Sequence, residues 1–319
     1  MNNDKTALFF SCNTPQITRD SICSMFGSNP MTQFEKYLGL PLVVGRVKRR
    51  AFNKIKDRVW QRLQGWKENL LSQASREVLI KAVIQAIPTY AMSCFKFPAD
   101  FCADLSAMAT RFWWGERGVE RKIHWLNKTK LMKSKNEGGM GFRDLQLFNK
   151  ALLAHQGWRL LHQPSSLLCR VLKAKYFPNQ SFLEAAVPGN ASYIWRSICD
   201  SKEVLLNGMR WRVGKGDKIK IWKDRWLPSP SMYKVISPMT GLDPEATVDS
   251  LICDDLMTWN LPLLHSMFMA RDVECILSIP LSKRKPPDVL IWNGTKQGTF
   301  SVKSAYRILY SHQVTAKAS

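Results

Sequence analysis

The spacing of apolar residues changes once along this chain, and that change limits what it can fold into. From residue 46 to about 206 they recur at helical steps; from 207 onward short alternating runs intervene. Phe52, Ile55, Val59, Trp60 and Leu63 fall at i, i+3, i+7, i+8 and i+11, one apolar stripe of a helix that Gly65 is placed to end. Lys54, Arg58 and Arg62 recur every four residues on a different face, so an ideal helix presents a basic ridge opposite the buried stripe.

Further helices are predicted in turn. Ser72 caps one running to about 87, where Pro88 ends or kinks it. Pro98 starts another, with Phe101, Leu105, Met108 and Phe112 on one face and a stop near Gly115. Asp144 caps a helix over 145–162, Ser165 or Ser166 opens one to about 175, and a sixth covers about 193–206. The alternation of 209–213 and 218–222 around Gly214-Lys215-Gly216-Asp217 then predicts a β-hairpin. Residues 227–246, with prolines at 228, 230, 238 and 244, read as a linker or irregular wrap. Short helices near 259–269 and 271–278, strands at 288–292 and 299–302, and a helix over 303–310 complete the chain. Residues 1–45 read as short strands and turns, with β-prone Phe9-Phe10 and Leu42-Val43-Val44. The expected fold is α+β and mainly helical, in three regions: 1–45, a helical 46–206, and a β-containing 207–319.

With 45% apolar and 11% aromatic residues over 319 positions, a core is affordable and extended disorder is excluded. The nearest approach to a membrane span, 78–92, is broken by Lys81, Gln85 and Pro88. The first residues, Met-Asn-Asn-Asp-Lys, lack the basic region of a secretory signal, which predicts an intracellular chain. The eight cysteines, at 12, 23, 94, 102, 169, 199, 253 and 275, show no Cys-x-x-Cys pair. They are expected to be reduced thiols, mostly buried, with no metal site in this chain.

Charge is strongly basic and clustered. The chain carries 47 Lys and Arg against 25 Asp and Glu, a net charge of +22. Residues 46–82 hold eleven basic residues against three acids, 121–150 eight against two, and 207–226 seven against two. Tryptophans are interleaved with these clusters. Lys and Arg release counterions from phosphates while aromatic faces stack on bases, so the pattern favours a nucleic-acid partner over a membrane surface.

Catalytic signatures are missing from the sequence. Gly214-x-Gly216 is too short for a dinucleotide fingerprint, and the glycines at 138, 139 and 141 read as a turn between basic segments. The histidines at 124, 155, 162, 265 and 312 form no triad or metal pattern. Asp254-Asp255 has no partner acid in an upstream strand and reads as a surface or capping pair. No catalytic residue is expected.

A series of ordered blocks is more specific. It begins at Lys36-Tyr37-Leu38-Gly39-Leu40-Pro41 and continues through Gly65-Trp66-Lys67, Leu71-Ser72, Phe112-Trp113-Trp114-Gly115 and Lys122-Ile123-His124-Trp125. Gly138-Gly139-Met140-Gly141-Phe142-Arg143-Asp144-Leu145, Trp195-Arg196-Ser197-Ile198, Trp211-Arg212-Val213-Gly214, Ile221-Trp222-x-Asp224-x-Trp226-Leu227-Pro228 and Phe300-Ser301-Val302-Lys303-Ser304-Ala305-Tyr306-Arg307 follow. Together they resemble the downstream half of the reverse transcriptase of plant LINE-type (non-LTR) retrotransposons, over about residues 8–311.

The resemblance implies an internal fragment of an RNA-directed DNA polymerase. The family's catalytic palm, which uses Mg, would lie before residue 1. Its zinc ligands would lie after residue 319, and an endonuclease and, in some members, a ribonuclease H domain also lie outside. Residues 8–44 would be the end of the palm, with Tyr37 to Pro41 as a primer-contacting tip, and 46–115 a thumb-like helical part. The C-terminal region would lead into a truncated zinc-binding domain. No catalytic or metal-binding residue carries over, and no cofactor is expected in this chain. The retained activity expected is sequence-independent binding of RNA, DNA or an RNA–DNA hybrid, with no membrane partner. Arg46, Lys48, Arg49, Arg50, Lys54, Arg58 and Arg62 are the candidate phosphate contacts; Trp66 is a candidate base-stacking residue or else a helix-packing one. Two alternatives stay open: a remnant or protein-interaction module without a nucleic-acid role, and a fragment completing a polymerase in trans through apolar surface near 8–10 and 40–44. A working protein of this type would act in the nucleus.

Overall fold

The computed structural model describes residues 8, 10, 13–27, 48–67, 71–116, 122–228, 233–239, 241–253 and 257–316. They form a mainly helical α+β protein in two compact units. One unit comprises Met1–Met92 and Phe97–Gln146, the other Ser93–Lys96 and Leu147–Ser319. No described helix is long and apolar enough to cross a membrane. The Tyr37 to Pro41 tip, Phe9, the 40–44 run and Asp254-Asp255 lie outside the described residues.

The first unit is built on helices α1 (Gln16–Phe26), α2 (Lys48–Lys67), α3 (Gln73–Leu79), α4 (Thr89–Cys94), α5 (Ala99–Trp114) and α6 (Lys128–Met132). Helix α1 replaces the strands and turns expected near the N-terminus; it buries none of its residues, so no apolar stripe announces it. The α2 stripe seats on α5 through Phe52, whose ring lies 4.5 Å from Phe97 and 5.9 Å from Phe101. Helix α2 runs through Gly65 to Lys67, so that glycine does not end it. Ser72 does cap α3, accepting from the Ser75 N–H, and Gly115 ends α5 in the left-handed region at φ 72°.

The predicted helix to 87 stops sooner. After Leu79 it widens into a π segment, Ile80–Ile84, with the Gln85 N–H donating to Ile80 O at 2.9 Å. Pro88 explains the break: its ring would clash with the carbonyl four residues earlier, at Ile84, and it has no N–H to donate. The wider turn keeps Ile80 and Ile84 both buried.

The second unit holds α7 (Leu145–His162, beginning in the first), α8 (Leu167–Tyr176), α9 (Tyr193–Asp200), α10 (Lys202–Gly208), β1 (Met209–Arg212), β2 (Ile252–Cys253), β3 (Thr258–Trp259), α11 (Leu261–Met267), α12 (Ala270–Leu277), β4 (Val289–Trp292) and α13 (Val302–Ala316). Asp144 and Ser166 cap α7 and α8 as the sequence predicts. The helix expected over 193–206 is two, broken at buried Ser201, whose hydroxyl donates back to Ile198 O at 2.7 Å. Residues 299–301 form no strand, and α13 takes up from Val302.

The expected hairpin is not formed. β1 pairs antiparallel with β4, Met209 opposite Trp292 and Arg212 opposite Val289. The loop after β1 instead wraps a carboxylate: Asp288 accepts from the N–H groups of Gly214 at 2.7 Å, Gly216 at 2.9 Å and Lys218 at 3.0 Å. Residues 219–221 then bond to Ala246 and Val248. The two-glycine pattern signals a tight cradle: a Cβ on Gly214 would meet Pro286 O at 2.1 Å, and Gly216 stands at φ 87°.

Two cores follow from this topology. One joins α7–α10 to Trp292 and Ala305; the other, from Val213 to Ile279, lies wholly between the two paired strands. The chain from β1 to β4 is therefore an insertion with its own apolar centre, entered and left at adjacent positions.

The seven described cysteines are free, but only Cys102 and Cys169 are buried, so the expectation of mostly buried thiols holds for these two alone. Burial, with Asp144 and Asp100 nearby, pushes the Cys102 thiol up to about 12. Its thiolate fraction at pH 8 falls about a thousandfold below that of an ordinary cysteine. Iodoacetamide labelling of the native protein, read by peptide mass spectrometry, should leave Cys102 unmodified while half-buried Cys23 reacts. Equal labelling of the two would contradict its burial.

Candidate nucleic-acid interface

The sequence-predicted site lies on α2, and its basic residues have divided roles. Arg49 donates to Asp100 at 3.1 Å and Asp104 at 2.5 Å, and Lys56 reaches Asp104 at 2.7 Å. These acids belong to the exposed edge of α5, so Arg49 and Lys56 clamp α2 to its neighbour. Hydrogen bonding from Lys56, reinforced by the Arg49 charge, holds the Asp104 carboxyl below the ordinary aspartate value. Arg49 is thus committed to an ion-pair network, a competing demand on a phosphate contact.

Lys54, Arg58 and Arg62 are different. All three are exposed. Among the described residues no hydrogen bond or ion pair engages any of them. Successive members stand about 6 Å apart along the helix axis, a linear row of cations on one face. Lys48 and Arg50 lie in the first turn of α2, and Arg46 falls outside the described residues.

Trp66 follows Arg62 by four residues, and the drift of that row carries it into the arc of the apolar stripe at 100° per residue. It is half-buried with its ring 6.0 Å from Phe112, the helix-packing alternative. Trp60, counted in the stripe from spacing, is instead 45% exposed. The buried members of the stripe are Phe52, Ile55, Val59 and Leu63, and at 100° per residue Trp60 falls about 60° beyond Leu63, at the edge of the stripe.

A second exposed aromatic stands outside the predicted site. Trp125 is 77% exposed, beside exposed Ile123 and between Lys122 and Lys128. His124 at its side is held by Glu116 at 2.7 Å and stacks on Trp114 at 5.7 Å. The usable signal was the Lys-Ile-His-Trp run itself, four residues with no helical or strand partner pattern around them. An indole in water beside lysines can stack on a base, which half-buried Trp66, packed against Phe112, is less well placed to do.

No protein-family model matches the chain. Two proteins of Arabidopsis thaliana are similar to it. "Putative ribonuclease H protein At1g65750" is 30% identical over 288 residues, 86% of this chain, and this chain spans 45% of that protein's length. "Uncharacterized mitochondrial protein AtMg00310" is 47% identical over 143 residues, 44% of this chain and 93% of the relative. Nearly the whole of this second relative is thus matched at close to half identity, and the chain belongs to the family of the mitochondrial protein AtMg00310.

Proposed function

We propose that this chain derives from the downstream half of a plant LINE-type retrotransposon reverse transcriptase and binds RNA, DNA or their hybrid without sequence preference. The observation that carries the binding is the row of Lys54, Arg58 and Arg62, exposed and unpaired among the described residues on a helix where Arg49 and Lys56 are instead paired with acids of α5. The ordered sequence blocks support the origin. So does a plant relative named for ribonuclease H, an activity that accompanies some members of that retrotransposon family. The role is binding, with the ridge tracking phosphates and no chemistry assigned to it.

The test is binding of the purified chain to labelled single-stranded RNA, single-stranded DNA and hybrid duplex across a salt series. Dissociation constants of about 1–100 µM, weakening steeply with salt, are expected. Changing Lys54, Arg58 and Arg62 to Gln together should weaken binding and reduce the log–log salt slope by about 2–3. No binding at low salt by protein with a native circular dichroism spectrum would overturn the reading. An unchanged slope in the triple variant would remove the ridge from it.

A further inference from the structure

The third basic cluster converges on a cleft that the ridge argument does not use. It is an open concavity of about 510 Å³ within the second unit, at the outer side of β1. Arg210, Trp211, Lys223, Asp224, Arg225 and Lys234 line it. In sequence these residues span two irregular segments and a strand; the Trp211 N–H bond to Arg225 O, at 2.6 Å, ties the strand to the segment carrying Arg225. That single bond brings a guanidinium from each side to one opening.

The cations are not equivalent. Lys223 is paired with Glu245, outside the cleft's basic set. Arg225 is fixed: its guanidinium donates to Leu206 O and lies 6.0 Å over the Tyr233 ring. Lys234 is exposed. Asp224 brings the one acid, and its carboxylate accepts from the Lys220 N–H at 2.8 Å. Arg210 is half-buried, and among the described residues its guanidinium makes no hydrogen bond or ion pair. Burial presses its pKa below the ordinary arginine value, with the nearby Tyr233 hydroxyl opposing that shift. A guanidinium partly withdrawn from water, with its donors uncommitted to protein acceptors, is suited to take an anion in the cleft.

We propose that this cleft binds a nucleotide unit, its phosphate held between Arg210, Arg225 and Lys234 and its base lying against Trp211. A planar guanidinium matches phosphate oxygens two at a time, and an indole beside it supplies a stacking face that an inorganic anion or a carboxylate would not need. The volume lies in the range of small-ligand sites. The same chemistry is offered by a free nucleotide and by one residue of a single strand. The site shares no residue with the α2 ridge and stands or falls separately from it.

The test uses the full chain carrying the Lys54, Arg58 and Arg62 to Gln changes, so that ridge binding does not intrude. Adenosine monophosphate, a five-nucleotide oligoadenylate and an aspartate pentapeptide are titrated in low salt by calorimetry. At least one nucleotide probe should bind and the peptide should bind at least tenfold more weakly. A mononucleotide that binds as well as the oligomer identifies a free nucleotide; an oligomer at least tenfold tighter identifies a strand. Adding Arg210→Gln should weaken the binding at least tenfold. Because Arg210 lies in β1, the exposed Lys234→Glu is a second probe that leaves the strand intact, with a loss of at least fivefold expected. Failure of both nucleotide probes to bind, equal binding of the peptide, or insensitivity to Lys234→Glu would each overturn the proposal.

Discussion

Asp288→Ala is expected to cost about 3–5 kcal/mol, because three backbone donors, those of Gly214 and Gly216 buried, lose one shared carboxylate acceptor. Gly214 and Gly216, like Asp288, are buried, so water cannot readily replace the carboxylate. Asp288→Asn keeps one acceptor oxygen for Gly214 and Gly216 but turns an NH2 toward the Lys218 N–H, and about half of the loss is expected. With two units in the chain, a bulk unfolding curve is not a two-state measurement. Hydrogen exchange at the amides of Gly214, Gly216 and Lys218 reads the effect where it arises. A change below about 1 kcal/mol in their opening free energy would show that the cradle does not depend on this carboxylate.

The second large effect belongs to Trp195. It is fully buried and stacks on Tyr176 at 4.7 Å and Phe177 at 5.4 Å, with Phe182 edge-on at 5.8 Å. Trp195→Ala should cost about 3–5 kcal/mol through the cavity it leaves. Trp195→Phe should cost far less, about 1–2 kcal/mol, because the indole N–H has no acceptor among the described residues and nothing polar is lost. Trp292 gives the contrast: its buried indole N–H donates to Ser304 Oγ at 2.8 Å, so Trp292→Phe removes a hydrogen bond, although Ser304 Oγ keeps its bonds to Ser301, and it should be the worse of the two Phe substitutions. Urea denaturation followed by exchange at amides of the surrounding helices would rank them. If Trp195→Phe proved as damaging as Trp195→Ala, packing shape rather than buried volume would govern this core.

Helices whose signals are local were legible in the sequence. Ser72, Asp144 and Ser166 cap where their side chains can reach the next turn, and Gly115 stops α5 because only glycine takes φ 72° without strain. The failures share another cause. The strand partner of Met209 lies at Trp292, and no spacing rule within a short window can choose it over the nearer run at 218–222. The Gly214-x-Gly216 pair was read as a turn, whereas its donors face a carboxylate 72 residues further on. For the binding residues the ridge was readable because it needs only a helical period. The division of Arg49 from Lys54 was not, since it depends on acids of a different helix, Asp100 and Asp104. Trp60, counted in the stripe, is exposed for a similar reason: periodicity assigns a face but not how far a finite core extends across it.

The insertion between β1 and β4 also sets a schedule for the chain as it is made. When Arg212 is added, its partner Val289 is still 77 positions from synthesis. At ordinary elongation speed that interval lasts about 4–15 s. Through it β1 lacks its strand partner, though its Trp211 N–H can meet Arg225 O early. The inserted core from Val213 to Ile279 has no such delay, because every residue it needs follows in one continuous stretch. It can consolidate on the emerging chain and, in doing so, hold its two ends together. The host domain then closes around a piece that is already finished, and the late arrival of β4 completes a joint whose halves have been kept side by side.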